Sequence, residues 1–257
     1  MTKTSARVII QPKNNNRRGK KMLLFYVRHG DPIYHPNMLT PLGEAQAQAV
    51  AKRLSLYGLD RIYSSPSTRA MQTAQPTADL TKLPITEADF ADEKYAWDEL
   101  TVPLPNDRRT WLFQHPETRS IFASGEFRRL GEDWCEHPDF SQYKDGIARA
   151  KRDTDAFLLS LGYKHDREAG KYGVVRDNNE RIALFAHQGF GMAFLSSLLD
   201  IPYPAFCTHF DMSHSNVTVI EFRNENGYSI PCVLSLSNDA HLYKEGIATK
   251  YANRIYF

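Results

Sequence analysis

The sequence predicts an α/β fold, a three-layer α/β/α sandwich built on a mostly parallel central sheet with an inserted cap segment. Two observations carry this. Met22-Leu23-Leu24-Phe25-Tyr26-Val27 and Arg181-Ile182-Ala183-Leu184-Phe185-Ala186 are apolar runs without alternation, the pattern of strands covered on both faces. Segments with apolar residues at helical spacing follow such strands, as in Phe190, Phe194, Leu195, Leu198 and Leu199, which is how crossover connections read.

Bulk properties bound the class. With 257 residues, 42% of them hydrophobic, the chain can bury a sizeable core, and we expect one globular domain over residues 22–257 with an insertion. Residues 1–21 hold seven basic residues and no acid, leaving 25 basic against 30 acidic residues in the body, so the net charge of +2 belongs to the leader. We read residues 1–21 as a basic, disordered, solvated leader and expect no nucleic-acid and no membrane partner. The apolar runs fall far short of the roughly 20 residues that span a bilayer. Cys135, Cys207 and Cys232 are widely spaced and odd in number, which fits a reducing, cytoplasmic setting better than a disulfide framework.

Along the chain, the first strand stops at Arg28-His29-Gly30. Thr40 reads as an N-cap with Pro41 in the first helical turn; Ala45, Ala49, Val50 and Leu54 mark the buried face, and Gly58 supplies the stop. Arg61–Ser64 is a short strand. Ser65-Pro66 starts a second helix that places Arg69 in or next to its first turn, with Pro76 kinking or ending it. Residues 84–90 read as another strand. Residues 97–144 read as irregular and aromatic-rich, with Trp97, Trp111, Phe113, Phe122, Phe127, Trp134, Phe140 and Tyr143 and four prolines; we take this segment as a cap whose aromatics form a small core of their own rather than a ligand cage. Residues 145–161 return to helix with Gly162 as C-cap, and strands follow at 216–222 and near 232–236.

Chemistry concentrates at strand ends. Two buried strands each deliver a histidine, His29 and His187, and a third ends just before Arg69. Ligands of open α/β sheets bind at the carboxyl ends of strands, so these residues are expected to meet in one crevice. Arg28, His29, Arg69 and His187 there present two permanent charges and two imidazoles, a surround suited to a phosphoryl group, whose oxygens match the paired donors of arginine.

In these residues the chain resembles the histidine phosphatase superfamily, the phosphoglycerate mutase-like family, over most of residues 22–242. The resemblance lies in Val27-Arg28-His29-Gly30, in Leu39-Thr40-Pro41-Leu42-Gly43-Glu44-Ala45, in Ile62-Tyr63-Ser64-Ser65-Pro66 through Arg69-Ala70-Met71-Gln72-Thr73-Ala74, in Ala186-His187 and in Asn238-Asp239-Ala240-His241-Leu242. It implies that His29 attacks phosphorus and is transiently phosphorylated, that Arg28, Arg69 and His187 hold the equatorial oxygens, and that a carboxylic acid protonates the leaving oxygen. Asp92, Glu93, Asp98 and Glu99 are the carboxylates after the 84–90 strand. Glu93 is the choice, because the family's glutamate precedes an aromatic by a few residues, as Glu93 precedes Trp97; Glu99 is the alternative. Flanking arginines are expected to keep the nucleophile neutral.

The implied function is a metal-independent phosphatase of a small phosphorylated metabolite, with no cofactor and no metal. Mutase-type transfer is disfavoured, because the loop Ile33-Tyr34-His35-Pro36-Asn37 is short and the asparagine, phenylalanine and tryptophan pattern of phosphoglycerate mutases is missing. The other alternative is a non-catalytic phospho-ligand-binding module. Asp31-Pro32 and Gln188-Gly189 depart from the family pattern at what we expect to be the pocket rim. Asn37 reads as a turn residue, and His209 and His214 as structural or rim residues. A cysteine-based phosphatase is excluded, since Ser141, Ser213 and Asn238 stand where its arginine would be, six residues after each cysteine.

Overall fold

The computed structural model describes residues 21–251. The leader expected over residues 1–21 lies outside the described residues except for Lys21, which opens the first strand and pairs with Glu221 at 2.7 Å. Six strands form the central sheet: β1 (Lys21–Arg28), β2 (Arg61–Ser64), β3 (Ile85–Glu87), β4 (Arg181–Ala186), β5 (Val217–Arg223) and β6 (Cys232–Asn238). Their spatial order is β6-β5-β1-β4-β2-β3. β1, β4, β2 and β3 run parallel, and β5 and β6 add an antiparallel edge.

The unalternating runs do pack on both faces. Leu24 and Tyr26 of β1, with Ile182, Leu184 and Ala186 of β4, join one apolar cluster, whereas Phe25 and Val27, with Ala183 and Phe185, join another. The second cluster is closed by α1 (Pro41–Ser55) and α2 (Thr68–Thr81) through Val50, Leu54, Ala74 and Ala78. The first is closed by α6 (Lys144–Ser160) and α7 (Gln188–Leu199) through Phe157, Leu158, Phe194 and Leu198. Both faces of the strands exclude water, which is why no polar residue interrupts them.

Several boundaries differ from expectation. Thr40 caps α1 by accepting the Gly43 N–H at 3.0 Å, but Ala45 is exposed and Gly43, Gln46 and Ala47 are buried instead. α1 ends at Ser55, ahead of Gly58, which turns the chain at φ 65°. α2 starts at Thr68, not Ser65, and runs through Pro76 for five further residues. Burial of Thr73, Ala74, Thr77 and Ala78 around the proline offsets the roughly 3 kcal/mol that an interior proline costs. Of residues 84–90 only Ile85–Glu87 are strand.

Residues 97–144 are not irregular. They form the end of α3 (Glu93–Glu99), a hairpin of Thr101–Pro103 with Arg109–Trp111, α4 (Pro116–Phe122), α5 (Gly125–Leu130) and two 3-10 turns. Phe122, Trp134 and Phe140 pack on one another, and Phe122 and Trp134 meet Tyr203 of α8 (Tyr203–His209). These aromatics were expected to form a core of their own, but they are continuous with the cluster that covers one face of the central sheet. Trp97 and Trp111 pair edge to face at 4.9 Å. Residues 163–174 form a hairpin that periodicity did not announce. Among the described residues no helix is long and apolar enough to cross a membrane, and the three cysteines are free.

Candidate active site

Strand register brings the site together. Arg28 is paired with Ala186 and Phe185 with Ser64, so the carboxyl ends of β1, β4 and β2 lie level. His29, His187 and Ser65 each stand one residue beyond. The His29 N–H bonds the Ala186 carbonyl at 2.9 Å and the Ser65 N–H bonds the Phe185 carbonyl at 2.9 Å. The glycines of two motifs explain themselves here: a Cβ on Gly30 would stand 2.6 Å from the Gly43 carbonyl oxygen, so α1 can approach the strand end only over a glycine.

His29 is 1% exposed and its ring centroid lies 5.2 Å from that of His187. Its Nδ1 sits 2.7 Å from the Gly30 carbonyl oxygen. A carbonyl can only accept, so Nδ1 carries the hydrogen and Nε2 the lone pair. Burial lowers the His29 pKa well below the ordinary imidazole value, and Arg69, His187 and Arg28 lower it further. The arginines therefore act as expected, but desolvation is the larger cause. His187, fully buried, is lowered in the same way; its Nε2 meets the Ser65 hydroxyl at 2.8 Å.

Arg28 gives one Nη to the Met212 carbonyl oxygen and the other to His214 Nε2 at 2.9 Å. Arg69, in the first turn of α2, donates to Asn37 Oδ1 at 2.9 Å and to Glu93 Oε2 at 2.6 Å. The Arg28 and Arg69 Nε atoms and His187 Nδ1 are buried without a hydrogen-bond partner among the described residues. Two guanidiniums and an imidazole, each with an unsatisfied buried nitrogen, make an anion-seeking centre, since buried polar groups are ordinarily satisfied.

Glu93 opens α3 and is 8% exposed. Its Oε1 accepts the Gly189 N–H at 2.9 Å while Oε2 holds Arg69 and lies 3.5 Å from His187 Nδ1. Glu99 points elsewhere: it binds Arg149 of α6 at 2.6 Å. Asp92 caps α3 through the Lys94 N–H, and Asp98 is exposed. Thus Arg28, His29, Arg69, His187 and Glu93 converge, and Glu99 does not join them. One donor atom each from His29, Glu93 and His187 lie within 4.8 Å of one another, a spacing that also suits a metal ion; the two adjacent guanidiniums oppose a dication there.

His214, expected to be structural or at the rim, is buried against the site: its ring stands 5.6 Å from that of His29, it accepts from Arg28, and burial lowers its pKa to about 4. It comes from the loop preceding β5, where no periodicity marks it; the nearby Ser215 N–H, bonded to the His29 carbonyl at 3.0 Å, anchors that loop. Asn37 does more than turn the chain, since it holds Arg69. Asp31 accepts the Thr40 hydroxyl at 2.8 Å and faces His214 at 3.5 Å. Gln188 is buried, donates to Asp211 and lines a cavity with it.

A cavity of about 660 Å3 opens beside Arg69 and Glu93, lined also by Tyr34, His35, Asn37, Pro66, Ser67, Thr68, Asp92, Lys94, Trp97 and Trp111. Tyr34 lies over the Arg69 guanidinium at 5.4 Å.

Residues 24–126, which include Arg28, His29, Arg69 and Glu93, match the family model of the histidine phosphatase superfamily, branch 1. Comparison with curated proteins finds no match. Among solved structures, a phosphoserine phosphatase from Entamoeba histolytica in complex with phosphoserine aligns at TM-score 0.57 and 21% identity, over 86% of this chain and 99% of its own. The mycobacterial glucosyl-3-phosphoglycerate phosphatase aligns at TM-score 0.54 and 19% identity, over 84% of this chain and 99% of its own. At these identities the likeness is one of fold.

Proposed function

Since the chain belongs to branch 1 of the histidine phosphatase superfamily, we propose that it is a metal-independent phosphomonoesterase acting on a small phosphorylated metabolite through a phosphohistidine at His29. The observation that carries this reading is the His29 tautomer: a buried, neutral imidazole whose Nδ1 is held by the Gly30 carbonyl has its Nε2 lone pair free for attack. The structural relatives named as phosphatases of phosphoserine and of glucosyl-3-phosphoglycerate support the reading at the level of substrate class.

In the first step Nε2 of His29 forms a bond to phosphorus as the bond to the leaving oxygen breaks, and Glu93 in its acid form gives that oxygen a proton. In the second, water attacks phosphorus, Glu93 takes the water proton, and the N–P bond breaks with its electron pair returning to Nε2. Arg28, Arg69 and His187 hold the equatorial oxygens through both steps, the Arg28 and Arg69 Nε atoms and His187 Nδ1 being the unpartnered groups available. Arg69 is shared: it binds Glu93 in the free site and turns toward phosphate as substrate enters.

The test is phosphate release from a generic aryl phosphate in excess chelator, for wild type and His29→Ala. Activity that survives chelation and disappears in His29→Ala is expected. Abolition by chelator, or full activity in the variant, overturns the reading.

A further inference from the structure

Of the converging site residues Arg69 and Glu93 line the cavity, which places it beside the phosphoryl position, and the rest of its wall describes what the phosphate is attached to. Glu93 and Trp97 are four residues apart on α3, so one helix face presents the candidate acid and an indole together. Trp111 completes that wall. Its six-membered ring lies so close to Gly189 that a Cβ there would stand 2.3 Å from it, and the Gly189 N–H is the one that holds Glu93. Trp97 thus shares the helix that carries Glu93, and Trp111, from the hairpin, packs on the glycine whose N–H holds it. Tyr34 and Pro66 also line the cavity.

Charge on this wall is already matched. Beyond Arg69 and Glu93, Asp92 and Lys94 neutralise one another at 3.5 Å, and the Lys94 ammonium lies 4.7 Å from the Tyr95 ring. His35 is exposed, at the mouth. A second phosphate or a carboxylate on the substrate would meet indole faces and a lysine that carries its own counter-ion. The volume of about 660 Å3 falls within the roughly 300–1,000 Å3 of sites that bury a drug-sized ligand.

We infer that the alcohol half of the substrate is a flat, uncharged, apolar group, an aryl or fused-ring alcohol, seated against Trp97 and Trp111. This rests on the phosphomonoesterase reading and narrows it away from phosphorylated acids.

Two primary-alcohol esters separate the group from leaving-group reactivity: 2-(2-naphthyl)ethyl phosphate and 3-phosphoglycerate. Phosphate release is measured for each, and binding of the matching non-hydrolysable phosphonates is measured by titration calorimetry. The naphthyl compounds are expected to be favoured by about tenfold or more in kcat/KM and in affinity, the scale of one well-made aromatic contact plus its burial. Trp97→Ala is expected to narrow that preference about tenfold through KM, and Trp97→Phe to keep most of it. Equal or better handling of the 3-phosphoglycerate compounds by wild type overturns the inference, as does a Trp97→Ala loss that falls equally on both probes. A phosphonate preference without phosphate release sinks the phosphomonoesterase reading and leaves the ligand class standing; phosphate release without a preference does the reverse.

Discussion

Nδ1 of His29 lies 2.7 Å from the carbonyl oxygen of Gly30, its own neighbour in the chain. The contact uses the one ring nitrogen that must not react. It needs no partner from elsewhere in the fold, and burial of the ring makes a second proton unfavourable. Nitrogen-resolved NMR of labelled histidine, with the His29 signals assigned by their loss in His29→Ala, is therefore expected to show a neutral Nδ1–H tautomer at pH 7 that persists below pH 6. A ring that protonates at the ordinary imidazole pH contradicts this.

Glu93 and Glu99 differ in partners, and hence in expected phenotype. Glu93 faces Gly189, Arg69 and His187, whereas Glu99 faces Arg149. Glu93→Gln is predicted to lower kcat by about 10²- to 10⁴-fold, with the loss smaller for esters whose alcohol leaves without a proton. Glu99→Gln is predicted to leave kcat within about twofold, because Glu99 pairs with Arg149 and touches none of the converging site residues. Steady-state rates over a series of leaving groups distinguish them. The reverse ranking would move the acid to Glu99.

Stability is expected to fall as pH drops from about 6.5 toward 4, the value to which His214 is lowered. Arg28 donates to His214 Nε2, which must stay unprotonated to accept. The unfolded chain binds this proton below about pH 6.5 and the native state does not, so the unfolded state holds more protons and stability rises with pH. The contribution is fully present above 6.5 and is lost progressively down to about 4, at about 1 kcal/mol per pH unit. Denaturant melts at a series of pH values should show this slope, and His214→Gln should flatten it; an unchanged slope in the variant assigns the effect to other buried histidines, His29 and His187 among them.

Gly189 and Trp111 are predicted to be coupled. A methyl group at 189 meets the Trp111 ring at 2.3 Å, and the N-terminus of α7 cannot yield without moving the N–H that holds Glu93. Gly189→Ala is expected to destabilise by about 1–3 kcal/mol, as overpacking does, and to lower kcat. In a Trp111→Ala background the same change should be nearly free, a double-mutant coupling of about 1 kcal/mol or more. Additive effects would mean that the ring does not pack there.

Legibility of the fold followed burial. β1 and β4 were readable because both their faces are covered, and α1 because Thr40 and Pro41 mark its start. Pro76, read as kinking or ending α2, does not end it, because packing on both sides of the proline overrides its local penalty; Ala45 was misplaced because helical spacing alone does not say which stripe faces inward. Residues 97–144 read as irregular since their helices are one or two turns long, too short for periodicity to register. In the site, Arg28, His29, Arg69 and His187 were visible as strand-end residues, and Glu93 by its place before Trp97. His214 was not, because a loop histidine has no spacing to betray it and its meaning depends on the Arg28 guanidinium reaching it from another strand.

The central claim is a covalent phosphohistidine, and trapping it is the direct measurement. Wild-type protein mixed with a ³²P-labelled phosphomonoester and quenched in alkali within milliseconds is expected to carry acid-labile, base-stable label on the peptide containing His29, formed and discharged at rates compatible with turnover. Turnover without any labelled enzyme, or label carried by another residue and retained in His29→Ala, would contradict the account.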